Sequence, residues 1–394
     1  MPFILADNPF LRVTVTNFFF FLSMNGFILL PLHITSLGGT EVEVGVIMGL
    51  YNAIGIVCQP LVGPWVDALG RRPFMLLGVG LALVAALLAA AVPEIGVLAL
   101  VRVLQGLAFS CFFVANYSYV IDLVPTAQRG WALGIYGVAG LVGTAVAPLL
   151  GEWTIRRYGF RPLYMLSAGV MVVATSFVWG LREREREGSP PVRGFPWEPG
   201  GLAEAGQLSM AVTLFFGLGA GTIFVFLPTF AERLGVQTLA LFYTAYSLSA
   251  IAVRVFGGRL SDVHGRRAVI VPSMFAQAGA TALLAAVAFL VSRTSATPVV
   301  PVLFLTGLLA GGAHGFLYPG LAALVTDLAP ARRRATAVGV FSAMFLVGQA
   351  AGAFTFGWIA HALGYASMWT ILASSLLAGA ALSMGLPRPA PARA

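Results

Sequence analysis

Asp67, Gly70, Arg71 and Arg72 return 195 residues later as Asp262, Gly265, Arg266 and Arg267, and Gly63 returns as Gly258. The chemistry open to these side chains is ion pairing rather than bond making. Each Asp falls at the end of an apolar run, where a helix C-terminus is already negative. It must therefore seek a positive partner, either an arginine or the N-terminus of a neighbouring helix. Gly70 and Gly265 permit a tight reversal. The plainer alternative is a topogenic turn that carries one acid for solubility.

A second set of polar residues lies inside the apolar runs. Arg102, Gln105, Phe109, Phe112 and Asn116 follow steps of 3, 4, 3 and 4, which is one face of a helix. A charge there costs ~2.5 kcal/mol or more in hydrocarbon. Arg102 either reaches outward or ties carbonyls of an adjoining span, or it orders a proton relay or holds an anionic group of a ligand. Further stripes are Asn17, Phe21 and Asn25; Tyr243, Ser247 and Arg254; Gly307, Gly311, His314 and Tyr318; and Ser342, Phe345 and Gln349. Arg254 precedes Asp262 by eight residues and is expected to snorkel to the membrane surface. Gly307 and Gly311 suit close packing of helices. Rings with a few amides suit an amphipathic organic molecule, and equally suit ordinary helix–helix hydrogen bonding.

Acid–base chemistry has few candidates. The chain has 15 acids, none near the midpoint of an apolar run. Proton coupling in a membrane ordinarily uses a buried carboxylate or histidine whose surroundings shift its titration. The candidates are Glu152, His314, Glu41 and Glu43, each with a structural alternative. No nucleophile–base spacing and no metal-ligand cluster stands out, so neither an enzyme nor a cofactor is expected. Cys58 and Cys111 lie within apolar runs and suggest no disulfide framework.

These residues are held by an unusually apolar chain. Of 394 residues, 59% are hydrophobic and only 10% charged, and the mean hydropathy is +0.90. A soluble domain carries roughly 25% charged residues, so the bilayer is the solvent. Twelve apolar runs are expected near 12–33, 44–65, 74–93, 97–120, 130–151, 161–181, 209–230, 238–258, 269–291, 299–324, 335–356 and 366–386. Each is long enough to cross ~30 Å of hydrocarbon as a helix. All 23 basic residues are arginine. With the N-terminus inside, they concentrate in cytoplasmic segments, which places both termini in the cytoplasm. The positive charge therefore sets topology and is not a nucleic-acid surface.

The long polar stretch 182–208, rich in charge and then in Pro and Gly, is expected to be a cytoplasmic linker between an N-terminal six-helix bundle, 1–181, and a C-terminal one, 209–394. The halves are related. Besides the pairs at 195, Asp122, Pro125 and Arg129 match Asp327, Pro330 and Arg334 at 205, and Leu30-Pro31 matches Leu227-Pro228 at 197. A duplicated six-helix unit inserts twice with the same orientation and leaves a cavity between parallel halves.

At these residues the sequence resembles the major facilitator superfamily of secondary transporters. The family signature Gly-x-x-x-Asp-x-x-Gly-Arg-Arg/Lys is present at Gly63, Asp67, Gly70, Arg71 and Arg72, with its second copy at Gly258, Asp262, Gly265, Arg266 and Arg267. A span 4 signature of exporter-type members, Arg-x-x-Gln-Gly, matches Arg102, Gln105 and Gly106. An antiporter signature in span 5 matches only in part: Pro148 and Gly151 are kept, while Ala147 and Glu152 replace two glycines. The resemblance implies twelve helices in two bundles and a conformational latch at Asp67, supported by Arg71 and Arg72, with the Asp262 copy a weaker echo. It also implies a pathway lined by spans 1, 4, 7 and 10, which favours Asn17, Asn25, Arg102, Asn116, His314 and Tyr318.

The expected protein is thus a multi-pass, monomeric transporter of the plasma membrane, in bacteria the inner membrane, moving a small organic solute by alternating access. Proton-coupled efflux of drug-like, sugar or metabolite molecules leads. A uniporter or proton-symport importer is the nearest alternative, and a non-transporting receptor or scaffold is the alternative of another class.

Overall fold

The computed structural model describes residues 8–125, 129–183, 206–291, 299–329 and 334–387; the side chains of 129–131, 258–259, 262 and 334–336 lie outside that description. Most of the expected linker, 184–205, lies outside the described residues. Within them the chain is helical. Hydrocarbon offers no partner for a backbone N–H or C=O, so each span satisfies its own.

The first half contains α1 (Pro9–Ser36), α2 (Glu41–Leu69), α3 (Arg71–Ala91), α4 (Ile95–Leu123), α5 (Arg129–Tyr158) and α6 (Phe160–Trp179). The second contains α7 (Gln207–Arg233), α8 (Ala240–Phe256), α9 (Arg266–Val291), α10 (Val299–Leu328), and α11 and α12 within Arg334–Ser383. That last segment breaks at Gly364, whose φ of 77° and ψ of 170° are not helical, giving α11 at 334–363 and α12 at 365–383. Among the described residues ten helices are long and apolar enough to span a membrane; the kink divides one of them, and the shorter α8 completes twelve. A seven-residue helix, Gly258–His264, follows α8.

Local chemistry sets the ends. Asn8 caps α1, its side chain accepting from the backbone N–H groups of Phe10 and Leu11, with Pro9 in the first turn. A 3-10 turn at Phe27–Leu29 interrupts α1 just before Pro31, which has no N–H to give. Thr40 and Glu43 form a reciprocal cap on α2: Thr40 N–H donates to Glu43 Oε2 at 2.8 Å, and Glu43 N–H donates to Thr40 Oγ1 at 3.3 Å.

The chain divides into two compact units. The first is Met1–Gly39 with Leu50–Phe195; the second is Pro196–Ala394 together with Thr40–Gly49, the opening turns of α2. In the first unit α1 packs on α5 and α6, and α3 packs on α4 and α6. In the second the same pairings recur as α7 and α9 against the α11–α12 segment, and α9 against α10. Phe20 stacks on Phe112 at 3.8 Å in the first core. Phe216, Phe341 and Phe345 help to fill the second.

The duplication is visible in the backbone. Among the described residues six of the seven glycines with positive φ form three offset pairs, Gly38 with Gly235, Gly70 with Gly265 and Gly159 with Gly364. It is visible in close packing too. Gly106 of α4 lies against the Tyr51 carbonyl of α2, and Gly311 of α10 against the Tyr246 carbonyl of α8. Gly307 meets the Phe242 carbonyl in the same way, so the glycines of α10 are packing surface.

Candidate functional site

The repeated turn is a dense charge junction inside the first unit. Arg71 pairs with Asp67 at 3.1 Å across one helical turn and with Asp122, at the end of α4, also at 3.1 Å. It donates as well to the Val66 carbonyl at 3.3 Å. The backbone N–H groups of Arg71 and Arg72, orphaned at the start of α3, donate to the Glu183 carboxylate at 2.9 and 2.8 Å. Arg72 donates to the Trp179 carbonyl at 2.9 Å and stacks on its indole. Gly70 makes the reversal with a φ of 101°. A Cβ at Gly70 would meet the Glu183 carboxylate at 2.9 Å, whereas the site of Gly63 is open.

In the second unit Arg266 pairs with Asp327 at 3.3 Å and donates to Ser261 Oγ, while Arg267 donates to the Met384 carbonyl. Gly265 repeats the turn with a φ of 84°. The side chain of Asp262 lies outside the described residues. Asp122 and Asp327 therefore hold equivalent arginines, a role that the sequence shows only as a pair of repeat markers.

Three asparagines of the first unit bond to α5. Asn17 Nδ2 donates to the Tyr136 carbonyl at 3.0 Å, Asn116 Nδ2 donates to Tyr136 Oη at 3.0 Å, and Asn25 donates to Thr144 at 2.9 Å. These bonds tie α1, α4 and α5 together. Arg102 is buried, with its guanidinium donating to Gln105 Oε1 at 2.8 Å and lying 4.8 Å from the centre of the Tyr51 ring. Among the described residues Arg102 Nε and Gln105 Nε2 have no hydrogen-bond partner. One histidine carries no motif that would single it out in the sequence: His33 Nδ1 meets Tyr164 Oη at 2.9 Å in the interior of this unit.

In the second unit, His314 sits among the rings of Phe216, Tyr246, Tyr318 and Phe345, at centroid separations of 5.4 to 6.4 Å. Its Nδ1 is buried without a partner among the described residues. Tyr243 is buried against Phe224 and Phe242. Gln349 is half-buried, its backbone in close approach to Gly221. A small pocket is lined by Phe216, Phe224, Tyr246, Gln277, Ala310 and His314 among others. Arg254 is half-buried at the end of α8, its Nε enclosed without a bonded partner among the described residues.

The four acid–base candidates have different surroundings. Glu43 is used as the cap of α2, and Glu152 pairs with Arg156 one turn on at 2.7 Å. His314 has rings for neighbours. Glu41 is buried to 8% exposure and joins two distant elements. Its carboxylate accepts from Arg233 at the end of α7 and lies 3.3 Å from His361 Nδ1 near the end of α11. Arg233 stacks in turn on Tyr365, whose hydroxyl bonds Thr229 at 2.6 Å. Close glycine contacts hold α2 there: Gly45 lies on the Ala353 carbonyl, Gly49 on the Phe354 ring and Gly357 on the Glu41 carbonyl.

Comparison with known proteins places these features. The family model of the Major Facilitator Superfamily matches residues 13–242 and 209–394. The staphylopine export protein of Staphylococcus aureus is 23% identical, the alignment covering 97% of this chain and 98% of that protein. The multidrug resistance protein MdtL of Klebsiella pneumoniae is 24% identical, over 91% of this chain and 88% of that one. Among solved structures, the nucleoside transporter NupG superposes with a TM-score of 0.79 at 16% identity, covering 96% of this chain and all of its own. A human organic anion transporter superposes with a TM-score of 0.66 at 17% identity, with the same coverage. The duplicated Asp–Gly–Arg–Arg turns, the twelve helices and the family match agree: the chain belongs to the Major Facilitator Superfamily of secondary transporters.

Proposed function

We propose that this protein is a proton-coupled exporter of a small organic solute, acting by alternating access as a monomer in the plasma membrane with both termini cytoplasmic. Similarity to export and multidrug resistance proteins along nearly the whole chain supports efflux. The observation that carries proton coupling is the position of Glu41. It is a buried carboxylate held by two cationic or protonatable partners from two other spans. Protonation removes its charge, weakens both contacts at once, and frees the start of α2 from α7 and α11. A solute binding elsewhere in the transporter couples to that step if it favours the released form.

The test is a pH-sensitive dye inside proteoliposomes. Chloramphenicol and a panel of amphipathic drugs and metabolites are added, and those that move are identified separately by flux. Moving solutes are expected to evoke proton movement in the opposite direction. Silence for every solute that moves would remove the coupling. The lack of any acid at a span midpoint favours that second reading, a facilitated uniporter.

The Asp67 turn is assigned the latch. Asp67→Asn keeps the hydrogen-bonding shape and removes the charge that faces Arg71. Asp67 is 45% exposed, so the pair contributes at most ~1 kcal/mol to stability and the melting temperature moves little. Transport is expected to fall by about tenfold, as roughly 1.4 kcal/mol lost from a conformational step would give. Wild-type flux in the Asp67→Asn variant would exclude the latch role.

A further inference from the structure

We infer that the second unit holds a buried water molecule, which bridges Gln277 of α9 and His314 of α10 in the small cavity that both residues line. The bridge depends neither on proton coupling nor on the direction of transport. Gln277 and His314 stand near the midpoints of their spans, Arg266–Val291 and Val299–Leu328. At that depth hydrocarbon offers no hydrogen bond, so a polar group must find its partner inside the protein. Gln277 is only 3% exposed. Its amide is oriented by α7. Nε2 donates to the Phe216 carbonyl at 3.1 Å, and Gly219 makes room for it, since a Cβ there would stand 2.5 Å from that nitrogen. The other end of the amide, Oε1, can only accept. Among the described residues Gln277 Oε1 and His314 Nδ1 are both buried without a hydrogen-bond partner.

Each orphaned atom destabilises the fold, and a shared partner removes both penalties at once. The cavity has room for about one water. Water also has the right chemistry. One O–H donates to Gln277 Oε1. At His314 the same molecule donates to Nδ1 when the ring carries its proton on Nε2, and accepts from Nδ1–H in the other tautomer. An ion fits less well. Oε1 would repel an anion, and a cation would find no carboxylate among the described residues that line the cavity.

The duplication isolates this polar pair. At the offset of 195, Tyr246 matches Tyr51 and Gln277 matches Ala82; at 205, His314 matches Phe109. The rings of Tyr51 and Phe109 lie 5.5 Å apart and those of Tyr246 and His314 5.6 Å apart, so the same frame is built twice. The first half completes it with a methyl and a phenyl group. The second half places an amide and an imidazole at those two positions together. Their orphaned atoms do not bond each other, so a third body joins them. Gln277 is thereby a positioning residue, which through the water sets how His314 faces the cavity. The water also gives a ring-enclosed imidazole the hydrogen-bonded neighbour that any proton exchange would need.

The experiment is water-edited solid-state nitrogen NMR of the full chain in lipid, with its histidines isotopically labelled. The chain has 4 histidines, and the signal lost in His314→Phe assigns His314. Magnetisation that starts on water is expected to reach the His314 ring in the wild-type protein. It should fall to near background in Gln277→Met, which keeps the length of the side chain and removes the acceptor. Thermal melting supplies a second measurement. Gln277→Met and His314→Phe should each lower the melting temperature, because each leaves the other polar atom without its bridge. The double variant, apolar at both positions as the first half is, should recover most of the loss. Neither measurement involves a solute or a proton gradient, so the bridge and proton-coupled export fail separately. If Gln277→Met does not fold, transfer in the wild-type protein still decides. No transfer to wild-type His314, or transfer unchanged in Gln277→Met, overturns the bridge. So do single variants that melt higher, as a dry cavity would give, and strictly additive losses in the double variant.

Discussion

Glu41→Gln is expected to abolish pH-driven accumulation while leaving solute exchange intact. Glutamine preserves the size of the side chain and one acceptor, so Arg233 still has a partner. What it loses is the choice between two charge states, which is the only property a coupling carboxylate needs. The folded protein should tolerate the change. Arg233 and His361 are 60% and 51% exposed, so solvent screens both contacts, and their loss costs roughly 1 kcal/mol or less. The packing of Gly45, Gly49 and Gly357 is untouched. Uphill flux should fall to background, about tenfold or more, with counterflow of labelled solute in the absence of a gradient persisting. Retained proton movement in the Glu41→Gln protein would show that the coupling group lies elsewhere, with His314 the next to examine.

Glu41 also marks the limit of what the sequence reveals. Its type and its place at the start of an apolar run are legible, and make it a candidate beside Glu43 and Glu152. What separates the three is who their partners are. Glu152 pairs with Arg156 four residues on, Glu43 bonds Thr40 three residues back, and the Thr-x-x-Glu cap of α2 is readable in the sequence by itself. The partners of Glu41 are 192 and 320 residues away. Periodicity reports which face of a helix a residue occupies, not which helix that face meets. Asn17, Asn25 and Asn116 show the same limit: their spacing names a helix face, and only the fold shows that each bonds a residue of α5. The fold is far more legible. Twelve spans, the offset pairs and the reversals at Gly70 and Gly265 depend on local hydropathy and backbone sterics, which a single chain carries openly.

Arg102 gives the sharpest separation of function from scaffold. It is buried to 8% exposure, held by Gln105 and the Tyr51 ring, and joined among the described residues to no carboxylate. If it were only structural, a residue of similar length without charge should serve as well or better, because replacing buried charge by apolar contacts is often neutral or stabilising. Arg102→Met is therefore expected to leave the melting temperature unchanged or higher. It should nonetheless cut transport by roughly ten- to a hundredfold, the equivalent of one charge-assisted hydrogen bond of ~1.5–3 kcal/mol made during turnover. Arg102→Ala should show the same transport defect with an added loss of stability, since it opens a void that methionine would fill. The offset of 205 pairs Arg102 with Gly307, so the second half builds the same helix contact with no cation at all. Normal flux in a stable Arg102→Met protein would return Arg102 to the scaffold; a stable but inactive one would mean that its charge is used by the transport cycle.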